Sequence, residues 1–193
     1  LSGQTEPQGR GDDQAGIAGD ANNRERADVI SRWSDHLVLL DAVEVGQVLP
    51  PHSLNCAGCG PDNPSGLGMQ VIRTANGVGS THSFGDGQVG APGIAHGGAV
   101  ALAFDDLFGF ALYTVGTLAV TRSLTVEYQA PFRLHQPYKF NAEVVERTGR
   151  RLLLHADGWD SAGRKAGSAD ATFVVVESAH FAAAPPDHEV GGL

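Results

Sequence analysis

The sequence predicts an α+β fold: a curved antiparallel sheet wrapped around one long central helix, with an extra N-terminal helix. Three observations carry this. The stretch from Gly97 to about Val115 is apolar on most sides, the mark of a helix enclosed by protein rather than lying on a surface. Beyond it the hydrophobic period switches to two and stays there through four successive runs. Strands and helices never alternate one for one, which argues against a parallel doubly wound sheet.

Taken in order, residues 1–24 are Gly, Gln, Asp and Asn with little apolar content and read as a disordered tail. Ile30, Trp33, Leu37 and Leu40 recur at helical spacing, so 25–46 is expected to hold an amphipathic helix, ended by Gly46 and Pro50-Pro51. The main domain is expected over 47–178. It begins with a loop from His52 to Gly68, followed by a strand at Met69–Arg73. Asn76-Gly77 predicts a hairpin turn with two residues at positive φ, and Val78–Phe84 is the return strand. After the helix, Val120, Leu124, Val126, Tyr128, Ala130 and Phe132 are expected on one face of a strand, with Thr121, Ser123, Thr125, Glu127 and Gln129 on the other. Arg122 breaks the apolar set. Tyr138–Arg147, Arg151–Trp159 and Lys165–Val176 complete the sheet through short hairpins. Residues 179–193 read as a second tail.

Composition narrows the function classes. The chain has 193 residues, 41% of them hydrophobic and only 18% charged, enough apolar content for one real core. Its net charge of −9 argues against nucleic-acid or anionic-membrane binding, since both need a basic surface. The first residues carry no apolar signal-like run, and a chain starting at Leu1 is expected to be processed or trimmed. Asp105 and Asp106 interrupt the most apolar stretch, so no membrane span is expected. Two cysteines make no disulfide framework and point to a reducing, cytoplasmic setting.

Those two acids are the first functional clue, because a carboxylate within a buried helix is costly unless it is paired or useful. On a 100° wheel Gly98, Ala101, Asp105 and Gly109 share a narrow strip of otherwise small residues, which a ligand or second chain can approach closely. Asp106 points elsewhere and is expected to pair locally. Gly97 and Gly98 open the helix, where unpartnered N–H groups and the dipole favour an oxyanion. His96 either caps this start or touches substrate. Arg150 and Arg151 follow a glycine and suit phosphate. Cys56 and Cys59 have the spacing of half a zinc site with His52 near them, but a closed site wants four ligands. They are expected to be packed thiols, with no metal and no cofactor.

Three motifs give the chain a resemblance. They are His96-Gly97-Gly98-Ala99 followed by Asp105, Thr121-Arg-Ser-Leu-Thr-Val-Glu-Tyr-Gln-Ala-Pro131, and Gly149-Arg150-Arg151. The lead-in Cys56-Ala-Gly-Cys59-Gly-Pro-Asp-Asn-Pro-Ser-Gly66-Leu67 adds a fourth element. Over roughly 52–178 the chain resembles the hotdog-fold acyl-CoA thioesterases, the PaaI-like branch of the 4-hydroxybenzoyl-CoA thioesterase superfamily, and the mammalian thioesterase-superfamily-member enzymes. The resemblance implies hydrolysis of acyl-CoA to free acid and CoA. Asp105 would be nucleophile or general base, Gly97 the oxyanion donor, and His96 and Thr121 further catalytic residues, with Thr121 reaching across a dimer interface. Gly98, Ser123, Glu127, Gln129, Arg150 and Arg151 would contact substrate, and Phe104, Phe108 or Trp33 would line the acyl pocket. It implies a homodimer or dimer of dimers with shared sites. The alternatives are a hydratase or dehydratase on the same fold, and a non-catalytic acyl-CoA sensor.

Overall fold

The computed structural model describes residues 43–177. The expected helix over 25–42 and both tails lie outside them; 43–46 form an irregular segment ending in a turn, not helix, with Gly46 at φ 93°. The described elements are β1 (Val71–Arg73), β2 (Val78–Ser83), β3 (Val89–Ala91), β4 (Ile94–Ala95), α1 (Gly97–Ala111), β5 (Ala119–Tyr128), β6 (Pro137–Thr148), β7 (Arg151–Trp159) and β8 (Lys165–Val175). Six strands form one antiparallel sheet in the order β1-β2-β6-β7-β8-β5. The pair β3–β4 forms a small separate hairpin where the sequence reads only as a glycine-rich turn.

The sheet wraps α1 as the expected pattern requires. Phe104, Leu107, Phe108 and Phe110 are fully buried on the helix, against Phe140, Leu152, Leu154 and Phe173 from the strands. Phe104 meets Phe140 edge-on at 5.4 Å, and Phe140 stacks on Phe132 at 6.0 Å, so ring packing fixes the helix's seat. By length and a mean hydropathy of 1.4, Gly97–Val115 would suit a membrane, but the sheet encloses it. The α-helix itself stops at Ala111. A single 3₁₀ turn over Leu112–Val115 follows, closed by Gly116 in the left-handed region at φ 56°.

Two local expectations change. The β1–β2 turn spans 74–77 and is held by a bond from Thr74 N–H to the Gly77 carbonyl, yet neither Asn76 nor Gly77 has positive φ. Gly77 is needed for a different reason: any Cβ there would collide with the Ala142 carbonyl of β6. The second change matters more. In β5, Thr121 pairs with Phe173 and Ser123 with Thr172, so Arg122 is the extra residue of a β-bulge. Thr121 and Ser123 therefore face opposite sides of the sheet, not the same side as simple alternation predicts. Thr121 turns inward with Phe173; Ser123, Thr125 and Glu127 turn outward.

Candidate active site

The inward turn of Thr121 brings it to α1. Its Oγ1 donates to Asp105 Oδ1 at 3.0 Å, within one chain, so no partner is needed to join them. Both line a cavity of about 360 Å³ with Leu112, Leu118, Ala119 and Phe173. An acid thus stands at an apolar cleft, oriented by a hydroxyl. Phe104 and Phe108 are fully buried in the core and do not line this cavity, contrary to expectation; Trp33 lies outside the described residues.

The small-residue strip around Asp105 is only partly open. At its far end the His52 ring lies where a Cβ on Gly109 would sit. At its near end Gly98 meets His96. His96 takes the capping role: its Nδ1 accepts from Gly98 N–H at 2.9 Å. Gly98's N–H is thereby used, and the carbonyl of His96 takes those of Ala99 and Val100. Among the described residues, Gly97 N–H takes part in none of these capping bonds. Tyr128, which in the sequence is only one of the apolar face of its strand, pins this end by donating to the Gly97 carbonyl at 2.7 Å. A second cavity of about 410 Å³ opens here, lined by Gly97, Val100, Tyr128 and Pro131.

Asp106 is 93% buried and anchors a cluster that no single stretch of sequence reveals. His52 Nδ1 lies 3.2 Å from Asp106 Oδ1, Cys56 Sγ 3.3 Å from the same oxygen, and Cys59 Sγ 3.4 Å from His52 Nδ1. Burial alone would depress His52, but its bonds to Asp106 and Cys56 outweigh this and push it up to about 9. The Cys59 S–H and then His52 hold Cys56 well below the usual thiol range, while the same contact and burial push Cys59 up. Burial raises Asp106. His52, Cys56 and Asp106 also line the Asp105 cavity.

The predicted phosphate contacts form a separate groove on the other face of the sheet. Arg122, Arg150, Arg151 and Thr148 line a hollow of about 470 Å³ with Val174, the outward neighbour of Phe173. Arg122, dismissed in the sequence as a break in the apolar pattern, is projected by the bulge. Its signal was that very break. Arg150 is already engaged, donating through Nε and Nη2 to the Val175 carbonyl at 3.0 and 2.9 Å. Ser123 and Glu127 face outward, and Gln129 bonds the outward Ser168 at 3.1 Å. None of these three joins Asp105.

Residues 92–167 match the family model described as the thioesterase superfamily. A crystal structure of a thioesterase superfamily protein is similar over 62% of this chain and 60% of its own, at 25% identity and a TM-score of 0.60. Over this segment the chain is similar to the thioesterase superfamily. The hotdog fold is shared with the Escherichia coli PaaI protein of phenylacetic acid degradation, at 16% identity over 56% of this chain and 83% of that one, TM-score 0.53. It is shared too with a hypothetical thioesterase of Streptococcus pneumoniae bound to coenzyme A, at 21% identity over 56% and 85%, TM-score 0.53. That pneumococcal protein has also been crystallised with an Asp, and with a Thr sixteen residues later, each changed to Ala. The separation between Asp105 and Thr121 is likewise 16. No curated protein sequence matches the chain significantly.

Proposed function

We propose that the chain hydrolyses acyl-CoA thioesters, with Asp105 as the reacting acid and Thr121 as its positioning residue. The observation that carries this is the 3.0 Å bond from Thr121 to Asp105 at the mouth of an apolar cleft. The coenzyme-A-bound pneumococcal relative, with its Asp and Thr at the same separation, supports it. Asp105 either takes a proton from a water that attacks the thioester carbon, or attacks that carbon itself to form an anhydride that water then opens. In both routes the C–S bond breaks, the acyl group gains the water oxygen, and the CoA sulfur leaves and ends as the thiol. A hydratase-type pairing of acid with histidine finds less support: His96 caps the helix and His52 is bonded to Asp106.

The oxyanion donor sets the assembly. Gly97 and Asp105 are eight residues apart on α1, about 12 Å along its axis. One thioester carbonyl does not span that distance. Each chain thus carries two half-sites, the Asp105 cavity and the Gly97 cavity, and a second copy is needed to bring one of each together. A homodimer or dimer of dimers supplies this. The strand β5, paired on one side only among the described residues, supports such an association. The arginine groove is proposed for CoA phosphates, and a reducing cytoplasmic setting suits the two free cysteines.

Release of free CoA from a panel of acyl-CoA esters tests the proposal. Turnover that disappears in Asp105→Ala supports it. Tight acyl-CoA binding with no CoA release would instead make the chain a sensor.

A further inference from the structure

The geometry points to a zinc site formed by His52, Cys56, Cys59 and Asp106, holding the 52–69 loop against the middle of α1. The sequence offers three of these ligands and no fourth; the fold supplies it from the helix, fifty residues away from Cys56. One donor atom from each residue lies within 4.8 Å of all the others. A tetrahedral zinc, with Zn–S about 2.3 Å and Zn–N or Zn–O about 2.0 Å, spaces its donors roughly 3.3–3.8 Å apart. Three of the six separations here are 3.2, 3.3 and 3.4 Å, and the other three lie within 4.8 Å. Two sulfurs, one imidazole nitrogen and one carboxylate make a donor set that suits zinc.

Two further observations favour a metal over a cluster of packed thiols. Asp106 Oδ2 is buried and without a hydrogen-bond partner, although the residue is 93% buried. Oδ1 is shared between His52 and Cys56 while Oδ2 has no donor among the described residues, so the carboxylate is only half satisfied. The contacts also close on one another: Asp106 Oδ1 and Cys59 Sγ both meet His52 Nδ1, Cys56 Sγ meets the acid, and Cys56 also bonds the His52 side chain. The groups surround a point, with one donor atom of each within 4.8 Å of the rest.

The loop is shaped for this. It is closed by bonds from Gly60 N–H to the Cys56 carbonyl, Leu67 N–H to that of Ala57, and Met69 N–H to that of Gly58, at 3.0, 2.9 and 2.9 Å. Backbone N–H groups of Gly58 and Cys59 aim at the Cys56 sulfur, and that of His52 at the Cys59 sulfur at 3.3 Å. Such donors orient and stabilise metal-bound thiolates. Gly58 and Gly60 are required: a Cβ on Gly58 would collide with the Asp106 carboxylate, and one on Gly60 with the Cys56 backbone. With four protein ligands the site is closed and structural. It would fix one wall of the cavity that holds Asp105, and it stands whether or not the chain hydrolyses thioesters.

The test uses the full chain purified under reducing conditions. Elemental analysis is expected to give one zinc per chain, either as purified or after incubation with zinc and removal of excess. Cobalt(II) added to chelator-treated protein should saturate at one equivalent. It should give the intense visible bands of tetrahedral cobalt and a near-ultraviolet thiolate charge-transfer band, both erased by zinc. Cys56→Ser and Cys59→Ser should each weaken the charge-transfer band, and chelation should lower Tm by on the order of 10 °C. Failure of the wild-type protein to acquire stoichiometric zinc overturns the inference, as does a pale octahedral cobalt spectrum. Because both readouts are made on the wild type, misfolding of a variant does not rescue the proposal.

Discussion

Replacing Thr121 by Val isolates the contact on which the proposed chemistry rests. Valine keeps the β-branched shape that suits β5 and removes only the hydroxyl, so the bulge and the Phe173 pairing should survive. What disappears is one donor to Asp105 Oδ1 at 3.0 Å. A hydrogen bond to a charged acceptor contributes roughly 1.5–3 kcal/mol, and the open position of Thr121 places this one near the lower end. Roughly 1.5–2 kcal/mol is about a 10- to 30-fold loss of rate. If Thr121 orients the acid rather than binding the acyl chain, the loss falls on kcat and leaves KM within about twofold. Thr121→Ser should retain most of the activity. Chromatographic measurement of released CoA is the suitable assay, since a thiol reagent would also modify Cys56. In an Asp105→Ala background, Thr121→Val should cost nothing more, because two residues acting as a unit are not additive. Thr121→Val turning over within about threefold of wild type, under 0.7 kcal/mol, would refute the reasoning.

Asp105→Ala itself should lower kcat by about 10²–10⁴ while circular dichroism stays unchanged, since this half-buried acid opens on the cavity. Arg122→Ala and Arg151→Ala should raise KM for acyl-CoA but not for an N-acetylcysteamine thioester, which lacks the phosphates, and the difference should shrink at high salt. Arg150→Ala should instead lower Tm, since its guanidinium holds the Val175 carbonyl; an equal KM effect on both substrates for Arg122→Ala and Arg151→Ala would remove the groove from CoA binding. Gly58→Ala should lower Tm and zinc content together, by driving a methyl group into Asp106. Burial holds His82 below its ordinary value of 6.5, so the unfolded chain takes up the proton first. Wild type should therefore lose stability relative to His82→Gln as the pH falls below about 6.5, and denaturant melts across pH 5–8 check the sign.

The helix and the four strands after it were legible because their patterns are long and the competing periods distinct; Tyr138–Arg147 and Arg151–Trp159 need little more than alternation. Asp105 was legible because an acid among small residues on an enclosed helix needs a reason. The side assigned to Thr121 was not, because a bulge changes the phase of a strand and leaves no mark in the residues except a misplaced Arg122. Glu127 and Gln129 were placed by resemblance, and strand register sends both away from Asp105. The Asp106 cluster was invisible for another reason. It joins a loop to a helix fifty residues on, and sequence spacing reports only neighbours along the chain. Gly58, Gly60 and Gly109 each mark a close approach, but a glycine does not say what approaches it.

The strand order has a consequence for how the site forms and fails. β5 follows α1 directly in the chain, yet its sheet neighbour is β8, the last strand, so Thr121 waits for Phe173 before it is held in place. Contacts of that sequence separation are slow to close in folding. They also belong to an edge, where amide exchange proceeds by local opening rather than global unfolding. Truncation into Lys165–Val175 would therefore release β5 and scatter the Asp105–Thr121 pair even if the helix stayed packed against β6 and β7. Deuterium uptake at Thr121 and its neighbours should be faster than in β7, and in the proposed dimer should slow where the second copy covers the open edge.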